Sequence, residues 1–257
     1  MSAEYILETK GLTKEFKGFV AVNNVDLKVR RGDIHALIGP NGAGKTTYFN
    51  LLTKFLPPTR GTISFQGVDI THEKPAQTAR RGIVRSFQIS AVFPHMTVLE
   101  NVRAALQRGL GNSFHFWKPE SSLHPLHDRA RQLLAEVDLQ DFADELTVNL
   151  PYGRKRALEL ATTMALEPEL MLLDEPTQGM GHEDVGRVTQ LIKKVSAGRT
   201  ILMVEHNMNV VSSIADRITV LQRGSVIADG PYEEVSRNPQ VIEAYMGSAD
   251  TELQGAH

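Results

Sequence analysis

Hydrophobic and polar positions along the chain show the periodicities of both strands and helices. A continuous apolar run at residues 33–39 ends in glycine-rich sequence and predicts a buried strand, whereas residues 61–70 alternate as a strand pair would. Residues 45–55 carry their apolar side chains at helical spacing. Strand patterns return at residues 169–175 and 199–205. Strands that alternate with helices in this way predict an α/β sheet.

The middle of the chain has a helical pattern from about residue 90 to residue 166. Thr97 and Glu100 have the spacing of a capping box, which predicts a helix beginning at this point. Residues 109–127 contain glycine, serine, proline and three histidines, and we expect a loop there. A hairpin with an Arg-Gly turn and a short closing helix complete the pattern. The helical stretch therefore predicts a subdomain inserted into the sheet.

Composition narrows the function only slightly. Of the 257 residues, 41% are hydrophobic and 23% are charged, as in ordinary globular proteins. The formal charge is 28 − 30 = −2, which gives no global basic field for nucleic acid. There is no cysteine, so no disulfide or thiolate metal site is expected. The start lacks the features of a secretory signal, and apolar runs such as residues 170–173 are far shorter than the ~20 residues of a membrane span. We expect a partner to hold the chain wherever it works at a membrane.

Residues 39–46, GPNGAGKT, match the phosphate-binding pattern G-x-x-x-x-G-K-[ST]. Its glycines permit backbone angles closed to other residues, so that N–H groups can converge on phosphate oxygens at a helix N-terminus. Lys45 would supply a positive charge to the β and γ phosphates, and Thr46 would offer its hydroxyl to Mg²⁺. The alternative is a glycine turn with a chance lysine, and the position between a predicted strand and a predicted helix argues against it.

The strand at residues 169–175 delivers two acidic residues to its carboxyl end, where ligands bind in such sheets. Asp174 would hold Mg²⁺ and Glu175 would orient or deprotonate the attacking water. The alternative reading is an acidic residue that caps the next turn. Together with the loop at 39–46, the pair predicts a nucleoside triphosphate hydrolase.

The segment LPYGRKRALEL at residues 150–160 places Arg154, Lys155 and Arg156 at the start of a predicted helix. Exposed cations there usually cost ~0.3–1 kcal/mol each. A glycine-containing turn opening a helix at this distance before an acidic strand resembles the Leu-Ser-Gly-Gly-Gln signature of ABC transporter ATP-binding subunits. That signature meets the γ-phosphate of ATP on a partner subunit. The resemblance therefore implies that an arriving anion compensates the cations. An alternative for Lys155 and Arg156 is a solvated basic face.

The resemblance extends from about Tyr5 to Met246. In particular, the chain is similar to the LivG-type subunit of branched-chain amino acid importers. The segments behind this narrower resemblance are LPYG, FPHMTVLENV, VEHNMNVV, SIADRITVLQRG and NPQVIEAYMG. It implies an α/β fold with a P-loop NTPase (RecA-like) core sheet, an N-terminal antiparallel β subdomain and an inserted α-helical signature subdomain. Within a single ABC ATPase domain at 4–250, residues 4–88 and 167–250 would form the core with the β subdomain, and about 89–166 the helical subdomain.

Site roles follow from the resemblance residue by residue. The catalytic residues would be Lys45, Gln88, Glu175 and His206, and the metal ligands Thr46, Gln88 and Asp174. Phe16 would stack on adenine, with Phe19 as a competing candidate. The nucleotide-binding residues would be Gly39, Pro40, Asn41, Gly42, Ala43, Gly44, Lys45, Thr46, Thr47 and Phe16, with Tyr152, Gly153 and Arg154 completing the facing subunit's site.

The same resemblance implies the cofactors and partners. ATP and Mg²⁺ would bind between two ATPase subunits, in a homodimer or a heterodimer with a related ATPase. Integral membrane permease subunits and a solute-binding protein would complete an importer at the cytoplasmic face of the inner membrane, with no nucleic acid. Three residues depart from the family pattern: Pro151 and Arg154 in the signature, and Gly181 where the loop after Glu175 usually ends in aspartate.

Several alternatives stay open. The solute could be urea, an amide or a small organic acid, because no residue of this chain would touch the cargo. A non-transport ABC ATPase acting on DNA or ribosomes is disfavoured by the absence of sustained heptads. A different P-loop enzyme, such as a kinase or GTPase, is disfavoured by the 150–156 turn and His206, and no N-K-x-D guanine-reading motif is present. His115, His124 and His127 lie close together in the sequence, but an exposed loop is favoured over a zinc site.

Overall fold

The computed structural model describes residues 4–86, 92–110 and 124–245. Within these ranges the chain forms a four-stranded antiparallel sheet and a six-stranded mixed sheet. The strands are β1 (Tyr5–Phe16), β2 (Phe19–Arg30), β3 (Ile34–Ile38), β4 (Arg60–Phe65), β5 (Val68–Asp69), β6 (Ile83–Ser86), β7 (Leu170–Asp174), β8 (Thr200–Val204), β9 (Arg217–Gln222) and β10 (Ser225–Gly230). Their order is β2-β1-β4-β5 in the first sheet and β10-β9-β3-β8-β7-β6 in the second.

The mixed sheet is buried on both faces. Its strands pair in parallel except for β10, which returns antiparallel to β9. Leu37 of β3 packs in the core that the antiparallel sheet covers, whereas its neighbours Ala36 and Ile38 pack in the core on the opposite face. Every residue of β3, β7 and β8 is buried. Burial on both faces explains why these strands have continuous apolar sequences and not alternating ones.

The labelled helices are α1 (Lys45–Leu52), α2 (Pro75–Arg80), α3 (Val98–Leu106), α4 (His124–Glu136), α5 (Tyr152–Met164), α6 (His182–Val195), α7 (Met208–Ile214) and α8 (Tyr232–Val235). Residues 239–245 are also helical. Helices α3, α4 and α5 pack against one another and form a helical layer between β6 and β7 in the sequence. The predicted capping box is confirmed, since Thr97 accepts from the Glu100 N–H at 3.1 Å and Glu100 accepts from the Thr97 N–H at 2.7 Å.

One boundary prediction is wrong. The loop expected to end at residue 127 gives way to α4 already at His124. The proline at position 125 suggested a loop, but proline is tolerated in the first turn of a helix because the N–H groups there have no partner within the helix. Within the described part of the chain, no helix has the length and apolar character that a membrane span requires.

Parallel pairing places three loops at one edge of the mixed sheet. Strands β7 and β3 flank β8, with Leu170 opposite Thr200 and Ile34 opposite Ile201. The segments that leave the carboxyl ends of β3, β7 and β8 therefore emerge side by side. Such an edge is where open α/β sheets bind their ligands.

Candidate active site

The loop between β3 and α1 is held against two neighbouring strands. Gly39 and Gly44 have φ angles of 149° and 102°. A side-chain carbon on Gly39 would overlap the backbone oxygen of Leu221 in β9, and one on Gly44 would overlap the backbone oxygen of Ala21 in β2. Glycine is therefore required at both positions by backbone conformation and by packing, independently of any ligand.

Lys45 folds back over this loop. Its ammonium group donates to the carbonyl oxygens of Gly39 at 2.7 Å and Pro40 at 3.0 Å. Burial lowers the pKa of Lys45, and the negative charges of Glu175 and Asp174 oppose this shift. An anion at the loop would add a compensating charge to a cation that already lies in a largely buried position. Asn41, Gly42 and Thr46 are exposed, so this part of the loop is open to a ligand.

Asp174 ends β7 and is 5% exposed. Its carboxylate pairs with the guanidinium group of Arg85 on the neighbouring strand β6, and Arg85 also donates to the side-chain oxygen of Asn50 at 2.7 Å. The sequence interpretation missed Arg85. A buried carboxylate needs a partner charge, so an arginine on a predicted strand was a candidate for that partner. The sequence did not reveal the pairing, because Arg85 and Asp174 lie far apart along the chain.

Glu175 and His206 come together across β7 and β8. Glu175 has a φ angle of 45°, a left-handed conformation that is uncommon for a residue with a side chain. The Nδ1 atom of His206 lies 4.0 Å from Oε2 of Glu175, and the histidine side chain is exposed. Lys45, Asp174, Glu175 and His206, predicted from separate parts of the sequence, therefore lie around one edge of the sheet.

The sequence interpretation also missed a buried carboxylate behind this edge, that of Glu205. Glu205 is fully buried and accepts hydrogen bonds from the N–H and hydroxyl of Thr177 at 3.0 and 2.5 Å. Its other oxygen accepts from the N–H groups of His206 at 2.9 Å and Asn207 at 3.1 Å. Glu205 thereby joins the loop after Glu175 to the loop that carries His206.

The three cations at the start of α5 have partners within the chain. The guanidinium carbon of Arg154 lies 3.7 Å from the centre of the Phe142 ring. Lys155 donates to the carbonyl oxygen of Val148 at 3.0 Å. Arg156 pairs with Glu159 at 2.5 Å. These contacts stabilise the basic helix start without an external anion, and Arg156 is buried, which excludes a solvated face for it.

The other predicted signature residues lie beside the segment that follows Glu175. The Tyr152 hydroxyl donates to the carbonyl oxygen of Gln178 at 3.3 Å, and the Tyr152 side chain is half exposed. A side-chain carbon on Gly153 would lie 2.9 Å from the Asp184 carboxylate of α6. Gly181 caps α6 in extended conformation.

The two candidate adenine-stacking residues lie in one hairpin. Phe16 ends β1, is 40% exposed and carries the Lys14 ammonium 5.1 Å from its ring centre. Phe19 begins β2 opposite it and is 67% exposed. Both rings are accessible, so geometry does not separate them. Gln88, predicted as a catalytic residue and metal ligand, lies outside the described residues, as does His115.

With the geometry in view, comparison with known proteins identifies the family. A family model described as "ABC transporter" matches residues 22–178, more than half of the chain. The chain belongs to the ABC transporter family. A second model, "Branched-chain amino acid ATP-binding cassette transporter", matches residues 225–251. Family membership makes the chain a nucleotide-binding ATPase subunit of a transporter, as the sequence predicted.

Curated ABC transporter relatives match along nearly their whole length. The chain is 41% identical over 251 residues to the high-affinity branched-chain amino acid transport ATP-binding protein BraF of Pseudomonas aeruginosa, which covers 95% of this chain and 98% of that protein. It is 40% identical over 254 residues to the LivG protein of Escherichia coli K12, with the same coverage. The predicted resemblance to LivG-type proteins is therefore confirmed.

Solved ABC transporter structures confirm the predicted fold class. An ATP-binding cassette of an ABC transporter in its ADP conformation matches with a TM-score of 0.82 at 30% identity, covering 95% of this chain and 99% of that one. A nucleotide-free cassette matches with a TM-score of 0.79 at 29% identity, covering 94% and 98%.

Proposed function

We propose that the chain binds Mg²⁺-ATP at the 39–47 loop and hydrolyses it to energise import of branched-chain amino acids. The observation that carries the catalytic part is the convergence of Lys45, Asp174, Glu175 and His206 at one sheet edge. The solute class is supported by the names of the relatives at 40–41% identity and by the second family match at the carboxyl end.

Each group has a separate task in the proposed hydrolysis. Lys45 leaves its two carbonyl partners and binds the β and γ phosphates. Glu175 orients the attacking water or accepts its proton, and His206 contacts the γ-phosphate as negative charge develops. Water attacks phosphorus, the bond to ADP breaks, and inorganic phosphate leaves with no covalent enzyme intermediate.

The residues present fit a magnesium ion. Thr46 offers an exposed hydroxyl at the start of α1, and Asp174 offers a carboxylate at the end of β7, and oxygen ligands of this kind suit Mg²⁺. We propose Thr46, Asp174 and Gln88 as the residues that hold it. When bound, the ion would neutralise charge on the phosphate oxygens.

A second ATPase subunit would complete the nucleotide site. The exposed ring of Tyr152 and the start of α5 at Gly153 and Arg154 would face ATP held on the partner's loop, in a homodimer or with a related ATPase. The stacking of Arg154 on Phe142 argues against a direct role for Arg154 in this interface, since a guanidinium group fixed on a ring must move to reach a phosphate.

A groove between the sheet and the helical layer is proposed as the docking surface for membrane permease subunits. Its volume is about 580 Å³, and it has a mainly apolar lining that includes Phe55 and Phe93, both more than half exposed. Exposed aromatic rings at a groove of this size are typical of protein-binding surfaces. Through the permease, with a solute-binding protein on the far side, the chain would work at the cytoplasmic face of the inner membrane.

Two experiments test the proposal. The ATPase rate of the purified chain, measured against protein concentration with Mg²⁺, should rise faster than linearly if two subunits form each site, and Glu175→Gln should abolish it. Glu233→Gln on the exposed face of α8 is the matched control and should hydrolyse ATP normally. A fully active Glu175→Gln variant would refute the assigned role of Glu175.

The solute class needs a test in cells. Deleting the gene from its source organism should reduce uptake of labelled leucine, isoleucine and valine, and the wild-type gene, but not Glu175→Gln, should restore it. Normal uptake of these three amino acids together with reduced uptake of urea or an amide would replace the proposed solute with that one.

A further inference from the structure

A buried ion pair on α5 connects the docking groove to the backbone of Glu175. Arg156 and Glu159 are 5% and 7% exposed and lie one helical turn apart. One terminal nitrogen of Arg156 donates to Glu159 at 2.5 Å. The other donates to the backbone carbonyl oxygen of Glu175 in a longer hydrogen bond of 3.4 Å. The planar guanidinium fork therefore spans two acceptors on different elements.

The carbonyl oxygen that Arg156 contacts belongs to a strained residue. Left-handed conformations cost residues with side chains ~1–2 kcal/mol and persist where the surroundings hold them. Glu175 is held by its N–H, which donates to the Val204 carbonyl at 2.9 Å. Its carbonyl accepts from the Gln178 N–H at 3.1 Å as well as from Arg156. Arg156 thus acts on the turn that aims the Glu175 side chain.

Glu159 links this arrangement to the groove. Its side chain lines the groove together with Thr162, Thr163 and Leu166 of the same helix, and it also borders a small cavity beside Pro176. The hydroxyls of Thr162 and Thr163 donate to the Glu159 carbonyl oxygen at 3.0 and 2.7 Å, which fixes this part of the helix. A group that enters the groove would therefore meet the residue that holds Arg156.

We propose that Arg156 is a positioning residue for ATP hydrolysis, which holds the backbone of Glu175 in its left-handed turn while Glu159 holds Arg156 from the groove side. The inference rests on the proposed role of Glu175. It assigns the third cation of the LPYGRKR segment to the chain's own active site, and not to the facing subunit's nucleotide.

The pair can be removed without leaving a buried charge. Replacing both members of a buried ion pair by apolar residues of similar volume is often neutral for stability, whereas removing one is strongly destabilising. The test variant is therefore the double substitution Arg156→Met with Glu159→Leu. Arg156→Lys is the conservative variant, because it keeps the charge beside Glu159 but lacks the two-acceptor fork. Arg31→Lys is the control, since Arg31 forms an exposed ion pair with Glu169.

Three quantities are measured on the full chain: kcat and KM for Mg²⁺-ATP, the thermal midpoint, and hydrogen exchange of the Gln178 amide without nucleotide. In the double variant we expect kcat to fall by about ten-fold or more while KM and the midpoint stay close to wild type. The Gln178 amide should exchange about ten-fold faster, because its acceptor turn is less firmly held. Arg156→Lys should fall between the double variant and wild type, and Arg31→Lys should match wild type.

Two results would overturn the proposal. One is a folded double variant with wild-type kcat. The other is a loss of kcat without faster exchange at Gln178, because the contact with the Glu175 carbonyl would then not position the turn. Exchange needs no ATP hydrolysis, so it separates this outcome from a failure of the proposed function, for which an active Glu175→Gln variant is the sign.

Discussion

The guanidinium group of Arg85 pairs with the carboxylate of Asp174, the residue predicted to hold magnesium. Both side chains are largely buried, at 11% and 6% exposure, and lie on the neighbouring parallel strands β6 and β7. Arg85 therefore balances a buried negative charge before any cation arrives. Magnesium would enter a position where an arginine already neutralises its ligand, and its binding depends on how the two share that carboxylate.

This pairing predicts a large loss of stability for Arg85→Gln without nucleotide. Breaking a buried ion pair costs about 3–5 kcal/mol, because the remaining carboxylate is left uncompensated. Urea unfolding monitored with and without Mg²⁺-ATP would measure it, and the ligand should restore part of the loss. The double variant Arg85→Gln with Asp174→Asn should be more stable than Arg85→Gln alone; equal stabilities would contradict a charge-based cause.

Two glycines of the phosphate loop should respond differently to alanine. Gly39→Ala forces a side-chain carbon into the Leu221 carbonyl oxygen, so we expect a loss of at least about 3 kcal/mol in unfolding free energy. At Gly42, with a φ angle of 74°, a side-chain carbon meets nothing within 4 Å among the described residues. Gly42→Ala should lose only about 1–2 kcal/mol from backbone strain. Equal losses in chemical denaturation would argue against the close packing on β9.

Glu205→Gln should uncouple the two loops that the carboxylate joins. The amide oxygen can still accept from Thr177, but the amide nitrogen faces the N–H groups of His206 and Asn207, which are donors too. We expect a stability loss of roughly 1–3 kcal/mol and a lower kcat, since His206 is no longer fixed. Thermal unfolding and ATPase assays measure both. The exposed Glu233→Gln serves again as the control, and an unchanged kcat would show that the His206 loop does not need this carboxylate.

His35 predicts a fall in stability on acidification. Burial lowers its pKa from 6.5 to about 4; the Asp229 carboxylate opposes this shift and Arg217 adds to it. The Thr219 hydroxyl donates to Asp229 at 2.9 Å, so His35 Nε2–H must donate to Thr219 at 2.8 Å. The proton-free Nδ1 has no hydrogen-bond partner among the described residues.

Between pH 6.5 and about pH 4 the unfolded chain therefore binds a proton that the folded chain does not. Stability decreases as pH falls through this window, by about 3 kcal/mol in total from this group, and no further below it. Urea unfolding of wild type and His35→Asn at several pH values isolates the effect. Parallel pH profiles for the two proteins would contradict it.

Phe16 and Phe19 provide a matched pair for the adenine site. Because both rings are exposed in one hairpin, alanine at either position should leave stability nearly unchanged. The family resemblance assigns the stacking to Phe16, and stacking on a base is worth ~1–3 kcal/mol. Phe16→Ala should therefore weaken ATP binding by about ten-fold, and Phe19→Ala should not. Titration with a fluorescent ATP analogue distinguishes them, and the reverse result would assign the stacking to Phe19.

The parts that sequence predicts best are those in which chemistry demands certain residue types at fixed spacing. The phosphate-binding loop at residues 39–46 and Asp174–Glu175 at a strand end are of this kind. The buried strands are recognisable from their continuous apolar runs. Arg85 and Glu205 could not be found this way. Arg85 is 89 residues from Asp174, and Glu205 is 28 residues from Thr177, so each pairing exists only after strands are placed side by side.

The basic start of α5 shows a second reason why sequence alone predicts only part of the site. Three adjacent cations suggested an anion from outside, because periodicity indicates a helix but not what packs on it. The structure supplies Phe142 for Arg154, the Val148 carbonyl for Lys155 and Glu159 for Arg156. Charge patterns along a sequence therefore identify a need for compensation, while only tertiary packing decides where it comes from.

The phosphate loop leans on the late hairpin of β9 and β10. Gly39 packs on Leu221, and the turn residue Gly224 donates to the Ala43 carbonyl oxygen at 3.0 Å while its own carbonyl accepts from Asn23 at 2.8 Å. The loop is synthesised early in translation, but the hairpin that supports it leaves the ribosome only after most of the chain has been synthesised. A nascent chain truncated before this hairpin would carry the complete nucleotide motif and still lack the backbone contacts that hold the loop in place.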